Sequence, residues 1–321
     1  MANLLTQGLG IVGRLALFGG GQIASGSTHP LSGTSGTPLG MPAGSLYINT
    51  SSYAVYVNEG TKTSPYWTPI HFDQPGLRAW WSDFRADTPA AITDTAASEL
   101  LRSGVRIHGQ GIAETDSGGA VTFTAELGSI MRLTTTDEDG HTICLSPGMG
   151  DTVEFMQPDT HGPLVIDVEF SHVSAITLRA TFAGFIAAIA DALDPVVTGG
   201  TTTLTLVQDD LAGLFQDVGL TDTDGLFAPH NKSDEAASIA TTAAGVDCST
   251  TISAAGTYQR WRVEISRAGA MACFVNKAQV TRIAASLDVD EEVQPVFYIE
   301  STSTAVKSVD LKRIAMWGLR A

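Results

Sequence analysis

From residue 105 to the end of the chain, apolar and polar residues alternate with a period of two. Val121, Phe123, Ala125 and Leu127 are interleaved with Thr122, Thr124 and Glu126, and Leu164, Ile166, Val168 and Phe170 with Val165, Asp167 and Glu169. The same holds for Ile176, Leu178, Ala180 and Phe182 against Thr177, Arg179 and Thr181, and for Trp261, Val263 and Ile265 against Arg260, Arg262 and Glu264. Alternate side chains of a strand leave on opposite faces, so each segment predicts a strand with one buried and one wet face. Gly269 marks a turn into Cys273, Phe274 and Val275, and Val296–Ile299 and Val309–Trp317 close the set. Many such strands separated by polar turns predict two antiparallel sheets packed face to face. Residues 105–321 are too many for an immunoglobulin module and ordinary for a jelly roll.

Ahead of this body the pattern changes. Leu46–Asn49 and Val55–Asn58 are two short β-branched and aromatic runs that read as a hairpin, with Tyr66-Trp67 as a third strand or a lid. Residues 46–70 alone bury little surface, so this small β-unit needs a partner, copies of itself being one. Residues 71–104 read as a connector with a short helix around Ala96 to Leu101 and with Trp80-Trp81, of which at least one packs across a boundary. Residues 1–45 hold eleven glycines, too many to propagate a helix. They read as an extended arm, either a disordered tail or a segment lying along another subunit through Leu4, Leu5, Leu9, Ile11, Val12, Leu15, Leu17 and Phe18.

Composition sharpens this organisation. Only 16% of the 321 residues are charged, and the formal net charge of −16 repels phosphate backbones, which argues against nucleic acid as a partner. The charge is uneven: residues 1–58 contain Arg14 and neither Asp nor Glu. Gln7, Gly8, Gly10, Gly13 and Arg14 interrupt the N-terminal apolar run, which disfavours a signal peptide, and no stretch is apolar enough to span a membrane. Cys144, Cys248 and Cys273 match no zinc or redox spacing and fit a protein made in a reducing cytoplasm.

Gly44-Ser45-Leu46-Tyr47-Ile48-Asn49-Thr50, then Val55-Tyr56-Val57-Asn58-Glu59-Gly60-Thr61-Lys62 and Pro65-Tyr66-Trp67-Thr68, resembles a module of phage structural proteins: strand, turn, a strand ending Val-Asn-x-Gly, and a Trp-Thr closure. Where that module has a glycine turn, Ser51-Ser52-Tyr53-Ala54 stands here. The blocks 103–118, 135–141 and 209–213, with the Tyr258–Val275 hairpin and the C-terminal strands, are similar to tailed-bacteriophage virion proteins of head-decoration or head-fibre type with a concanavalin A-like jelly roll. The resemblance implies an all-β protein and a non-enzymatic homotrimer. It would be made in the host cytoplasm and placed on the capsid surface against the major capsid protein.

Catalytic and metal chemistry find little footing. A retaining glycosidase needs two carboxylates about 5 Å apart. On a strand that calls for Glu-x-Asp-x-x-Glu, but after Glu114 and Asp116 the third position is Gly119. Asp222-Thr223-Asp224-Gly225 and Asp137-Glu138-Asp139-Gly140 resemble calcium-loop fragments, but the positions that should carry Asp and Glu are Leu220 and Asn231 in one, Thr135 and Ser146 in the other. The seven histidines follow no metal spacing; His108 and His141 read as structural hydrogen-bonders. No catalytic residue, cofactor or metal ligand is therefore assigned. The expected contacts to capsid or sister subunits are the apolar arm residues together with Tyr47, Tyr56 and Trp67. The rival reading is a tail-fibre adhesin whose sandwich binds a host surface glycan.

Overall fold

The alternating segments become strands in the computed structural model, which describes residues 15–16, 20–72, 77–82, 91–92, 99–102, 105–109, 120–124, 130–135, 142–147, 156–173, 179–187, 197–206, 210–217, 219–222, 225–232, 238–301 and 307–319. Leu164–His172 lies between Gln259–Ile265 and Ser308–Leu319, antiparallel to both, with Val168 opposite Trp261 and Ile314. A bulge between Glu169 and Phe170 absorbs one extra residue of the longer C-terminal strand.

These three strands centre a sheet that runs Ala278–Ile283, Met271–Val275, Gln259–Ile265, Leu164–His172, Ser308–Leu319, Ile130–Thr134, Ala120–Thr124 and Ala91–Ile92. Leu77–Ser82 also pairs with Ser308–Leu319. We call this the proximal sheet. The distal sheet runs Asp247–Thr251, Gly225–Phe227, Leu211–Asp217, Arg179–Ile186, Gln294–Ser301, Thr142–Ser146, Val105–Gly109 and Glu99–Arg102, and His230–Asn231 also joins Leu211–Asp217. The chain crosses repeatedly between them: Ile130–Thr134 is proximal, Thr142–Ser146 distal, Leu164–His172 proximal and Arg179–Ile186 distal. Alternation between two sheets is the jelly-roll habit, so the all-β sandwich expected from the sequence is the architecture found.

The space between the sheets is filled by one alternating set from each. Leu164, Ile166, Val168, Phe170, Trp261, Val263 and Ile265 face Ala183, Phe185, Ala212, Leu214, Phe297 and Ile299. Trp261 is in this core, as its strand position implied, and all three cysteines are buried free thiols.

The second face of the strands departs from expectation. It was to be wet, yet every residue of Leu211–Asp217 and Gln294–Ser301 is buried, and on the proximal strands Asp167 and Arg262 are 0% and 2% exposed. The reason is a cover on each side. Val197–Gly199, Thr203–Leu206 and Ser238–Ala240 form a three-stranded sheet whose Val197, Leu204 and Leu206 pack on Phe182, Phe215 and Tyr298 of the distal sheet. Over the proximal sheet lies a five-stranded sheet in the order Leu15–Ala16, Gln22–Gly26, Leu46–Asn49, Val55–Asn58 and Trp67–Pro69. The molecule is four layers deep.

This arrangement corrects the expected boundaries. The hairpin and its third strand form as read, but part of the supposed arm is built into the same sheet: Leu15 pairs with Ile23, and Gln22–Gly26 runs parallel to Leu46–Asn49. The partner that the small unit requires is the chain's own sandwich. The connector supplies strands to both large sheets, and where a helix was expected Glu99–Arg102 is a strand paired with Val105–Gly109. Local helix propensity there yields to the open edge of the distal sheet. Residues 96–98, and Leu4, Leu5, Leu9, Ile11, Val12, Leu17 and Phe18, lie outside the described residues.

Phe170 meets Trp261 edge-on at 4.9 Å and Phe297 at 5.2 Å in the middle of the core. Phe170→Ala should cost about 3–5 kcal/mol in urea unfolding, because the packed rings around it cannot close the cavity.

Candidate functional site

The richest constellation of charged and aromatic groups lies where the five-stranded sheet rests on the proximal sheet. Its local architecture begins at Asn58. The Asn58 Oδ1 accepts the Gly60 and Tyr66 amides, each at 2.8 Å, and its Nδ2 donates to the Met41 carbonyl at 2.6 Å. One buried side chain thus ties two loops together, 59–66 and the one that carries Met41. A Cβ on Gly60 would meet the Ser64 carbonyl oxygen at 2.5 Å, which gives the Val-Asn-x-Gly sequence its physical meaning. At the other turn, Asn49 Oδ1 accepts the amides of Ser51 and Ser52 at 2.8 Å, and Tyr53 occupies the left-handed region at φ 61° with its ring 75% exposed. The turn keeps its glycine-like shape although no glycine is present.

This scaffold delivers Tyr47, Tyr56, Trp67 and Tyr66 to the proximal face. The first three were expected to touch other subunits. Instead they are buried in their own chain with Val165, Ala315 and Trp317, because the outward face of the proximal sheet is apolar enough to cover them. Tyr66 inserts between Phe274, edge-on at 5.5 Å, and the Arg262 guanidinium, 4.3 Å from its ring centre.

Around Tyr66 runs a buried ionic network. Asp167 Oδ1 and Oδ2 each accept a bond from Arg260, from Nε and Nη2 respectively, both at 2.6 Å, and Oδ2 also accepts the Tyr66 hydroxyl at 3.1 Å. The Arg260 Nη1 reaches across to Glu59 of the small sheet at 3.0 Å, and Lys277 joins the same carboxylate at 3.3 Å. Arg262 pairs with Glu264 at 2.5 Å, donates to the Trp67 carbonyl, and also lies 4.9 Å from the Trp317 ring centre. Glu264 in turn accepts the Ser32 amide at 3.1 Å, and Ser32 Oγ accepts the Trp67 amide at 3.0 Å. At the edge, Gln279 accepts the Thr34 amide at 2.7 Å.

Burial alone would raise the Asp167 and Glu59 carboxyls, but the neighbouring guanidiniums outweigh it and hold both below their usual range. Burial pushes the Tyr66 phenol well up, so it stays a neutral donor to Asp167. Asp167 and Glu59 are therefore ionised and engaged by Arg260, Glu59 by Lys277 as well, an arrangement suited to holding two layers together. Neither is poised to exchange a proton near neutral pH.

Of the other residues weighed for chemistry, Glu114, Asp116, residues 137–140 and His141 lie outside the described residues. The Asp222 carbonyl accepts the Gly225 amide at 3.1 Å, and His172 faces the Thr181 hydroxyl at 3.3 Å in the interior. Among the described residues no three His, Cys, Asp or Glu side chains converge as metal ligands would, and no helix is long and apolar enough to cross a membrane. Trp80 packs on the main core and Trp81, on the same strand, stacks on Phe72 at 5.7 Å, so the adjacent tryptophans do divide between two environments.

Sequence reasoning passed over Arg260, Arg262, Glu264, Asp167 and Glu59 as a unit. The signal was present: Arg260, Arg262 and Glu264 share one strand face in a chain with only 18 basic residues.

No family model matches the sequence, and no curated protein matches it. Solved structures with a similar course of the chain include the Emp47p carbohydrate recognition domain (10% identity, 77% of this chain and 98% of that one, TM-score 0.46). Peanut lectin bound to a 9-residue peptide is another (11%, 76% and 99%, 0.43), and the Bacillus licheniformis β-glucanase a third (9%, 72% and 99%, 0.39). The architecture rests on the strand order described above, and these likenesses assign no activity.

Asp167→Asn leaves Arg260 and Arg262 short of a buried counter-charge and should cost about 3 kcal/mol in urea unfolding. Because folding lowers the Asp167 and Glu59 pKa, the unfolded chain binds their protons first as pH falls. Their contribution is complete at neutral pH and is lost below about pH 4, so the urea midpoint should drop there, and drop less in Asp167→Asn.

Proposed function

We propose that the protein is a structural component of a tailed-bacteriophage virion, decorating or stabilising the head as a homotrimer bound to the major capsid protein. The observation that carries this reading is the sealing of the sandwich by its own chain. The centre of each outer face, where an open groove would take a polymer, is roofed by a small sheet. The carboxylates under the proximal roof, Asp167 and Glu264, are held by Arg260 and Arg262 in a buried interface. Such a body is built for rigidity, and a rigid non-catalytic knob is what a particle surface requires.

Two features of the sequence support the assignment. The 44–68 segment resembles the phage structural module, and its Asn58 and Gly60 have the structural roles that the motif demands. The acid-free leader, with Leu4, Leu5, Leu9, Ile11, Val12, Leu17 and Phe18, offers apolar surface at about 25 cal/mol per Å² when covered by a capsid lattice, and copies in a trimer multiply the effect. The attachment segment is accordingly shorter than residues 1–45, since the chain from Gln22 onward belongs to the body.

Cryo-electron microscopy of particles from a lysate that expresses the gene tests the reading. Density for a four-layer knob at threefold-related positions on the head is expected, and deletion of residues 1–14 should leave folded protein in the supernatant. Density at the tail tip would replace this reading by the adhesin, and particles devoid of the chain would overturn both.

A further inference from the structure

Arg132, Arg260 and Arg262 each meet a carboxylate. Among the described residues Arg267 and Arg282 meet none, although the chain has 34 acidic residues against 18 basic ones. Both line a single cleft of about 640 Å³, formed where the 27–37 loop of the small sheet meets the 266–270 turn and the 282–284 strand end of the sandwich. That volume is within the range of small-ligand sites, about 300–1,000 Å³.

The cleft is built rather than incidental. Arg267 is oriented by bonds from its Nε to the Gly162 carbonyl at 3.1 Å and from its Nη2 to the Thr160 carbonyl at 3.4 Å. Both acceptors are neutral, so they position the guanidinium without cancelling its charge. His29, also in the lining, is fixed at both ring nitrogens, by the Tyr56 hydroxyl at 2.5 Å and by Ser52 Oγ at 3.2 Å. Burial, and then the Arg267 charge, push the His29 pKa down to about 4, so the ring is neutral near pH 7. Among the described residues lining it there is no carboxylate. The hydroxyls of Ser27, Thr37 and Ser266 share the remaining lining with small apolar groups such as Leu31 and Pro163.

We infer that this cleft binds an acidic saccharide unit, its carboxylate held by Arg267 and Arg282 and its ring hydroxyls by the hydroxyl side chains and exposed backbone of the lining. Guanidinium forks match carboxylate geometry, and the mixture of hydroxyls and short apolar side chains suits the two kinds of face that a pyranose presents. The inference stands apart from the virion assignment, because a head knob and a tail adhesin would carry the same cleft.

Calorimetric titration of the full chain with glucuronate and N-acetylneuraminate tests it, with glucose as the neutral sugar and acetate and phosphate as bare anions. One of the acidic sugars should bind at least about tenfold more tightly than any of the three controls, a difference that calorimetry resolves easily. Arg267→Gln and Arg282→Gln should each weaken that binding about tenfold; the melting temperature should stay in place in Arg282→Gln, whose arginine meets no carboxylate among the described residues, and fall only slightly in Arg267→Gln, which gives up the bonds to the Gly162 and Thr160 carbonyls. The His29 ring resonances should shift on saturation in the parent protein and not in the double variant. Absence of saturable binding, equal binding by acetate or phosphate (an ion site only), or full binding by the double variant would each overturn the proposal.

Discussion

Arg260 and Arg262 enter the outer face of the proximal sheet as two charges that the sandwich cannot satisfy alone. Asp167 and Glu264 neutralise them in part, but the Trp67 carbonyl, the Tyr66 ring and hydroxyl and the Glu59 carboxylate all come from the small sheet. Removing water from such groups costs several kcal/mol per ion, which the geometry must return through short bonds and enclosed cation–π contacts. A slightly misplaced cover would leave buried charge unmet. The network therefore fixes where the five-stranded sheet sits, while the apolar contacts of Tyr47, Tyr56 and Trp67 supply the bulk of the attraction. The distal cover is held more simply, by Val197, Leu204 and Leu206 on Phe182 and Phe215, with the Asp217 carboxylate accepting the Gly199 and Gly219 amides.

A jelly roll with two open faces offers grooves, and one with both faces roofed offers edges and rims instead. In this chain the recess lined by Arg267 and Arg282 lies at the junction between roof and body. The two functional proposals are compatible on this ground: the layers supply stiffness, and the seam between them supplies the recess.

Much of the fold was legible because burial imposes a period of two wherever one face is wet or merely less apolar. Leu164–Phe170 and Trp261–Ile265 announced their inner faces correctly. Their outer faces misled, since Asp167, Arg260, Arg262 and Glu264 look like a solvated surface until the covering sheet is known. That sheet assembles from segments on both sides of a glycine-rich stretch, and its strand Gln22–Gly26 has neither the length nor the alternation to declare itself. The Asn58-x-Gly60 motif was visible, but the bonds that explain it reach Met41 and Tyr66, which spacing along the chain does not reveal. Glu99–Arg102 reads as helix from its Glu and leucines and becomes strand because an edge is waiting for it.

The five-stranded cover precedes much of its seat along the chain by more than two hundred residues. Ser32 bonds to Glu264, Thr34 to Gln279, and Trp317 closes the apolar patch beneath Phe72. During translation the cover must wait, its aromatic underside open, until more than two hundred further residues have emerged and folded. Protection of the covering segment therefore reports that the sandwich beneath it has folded.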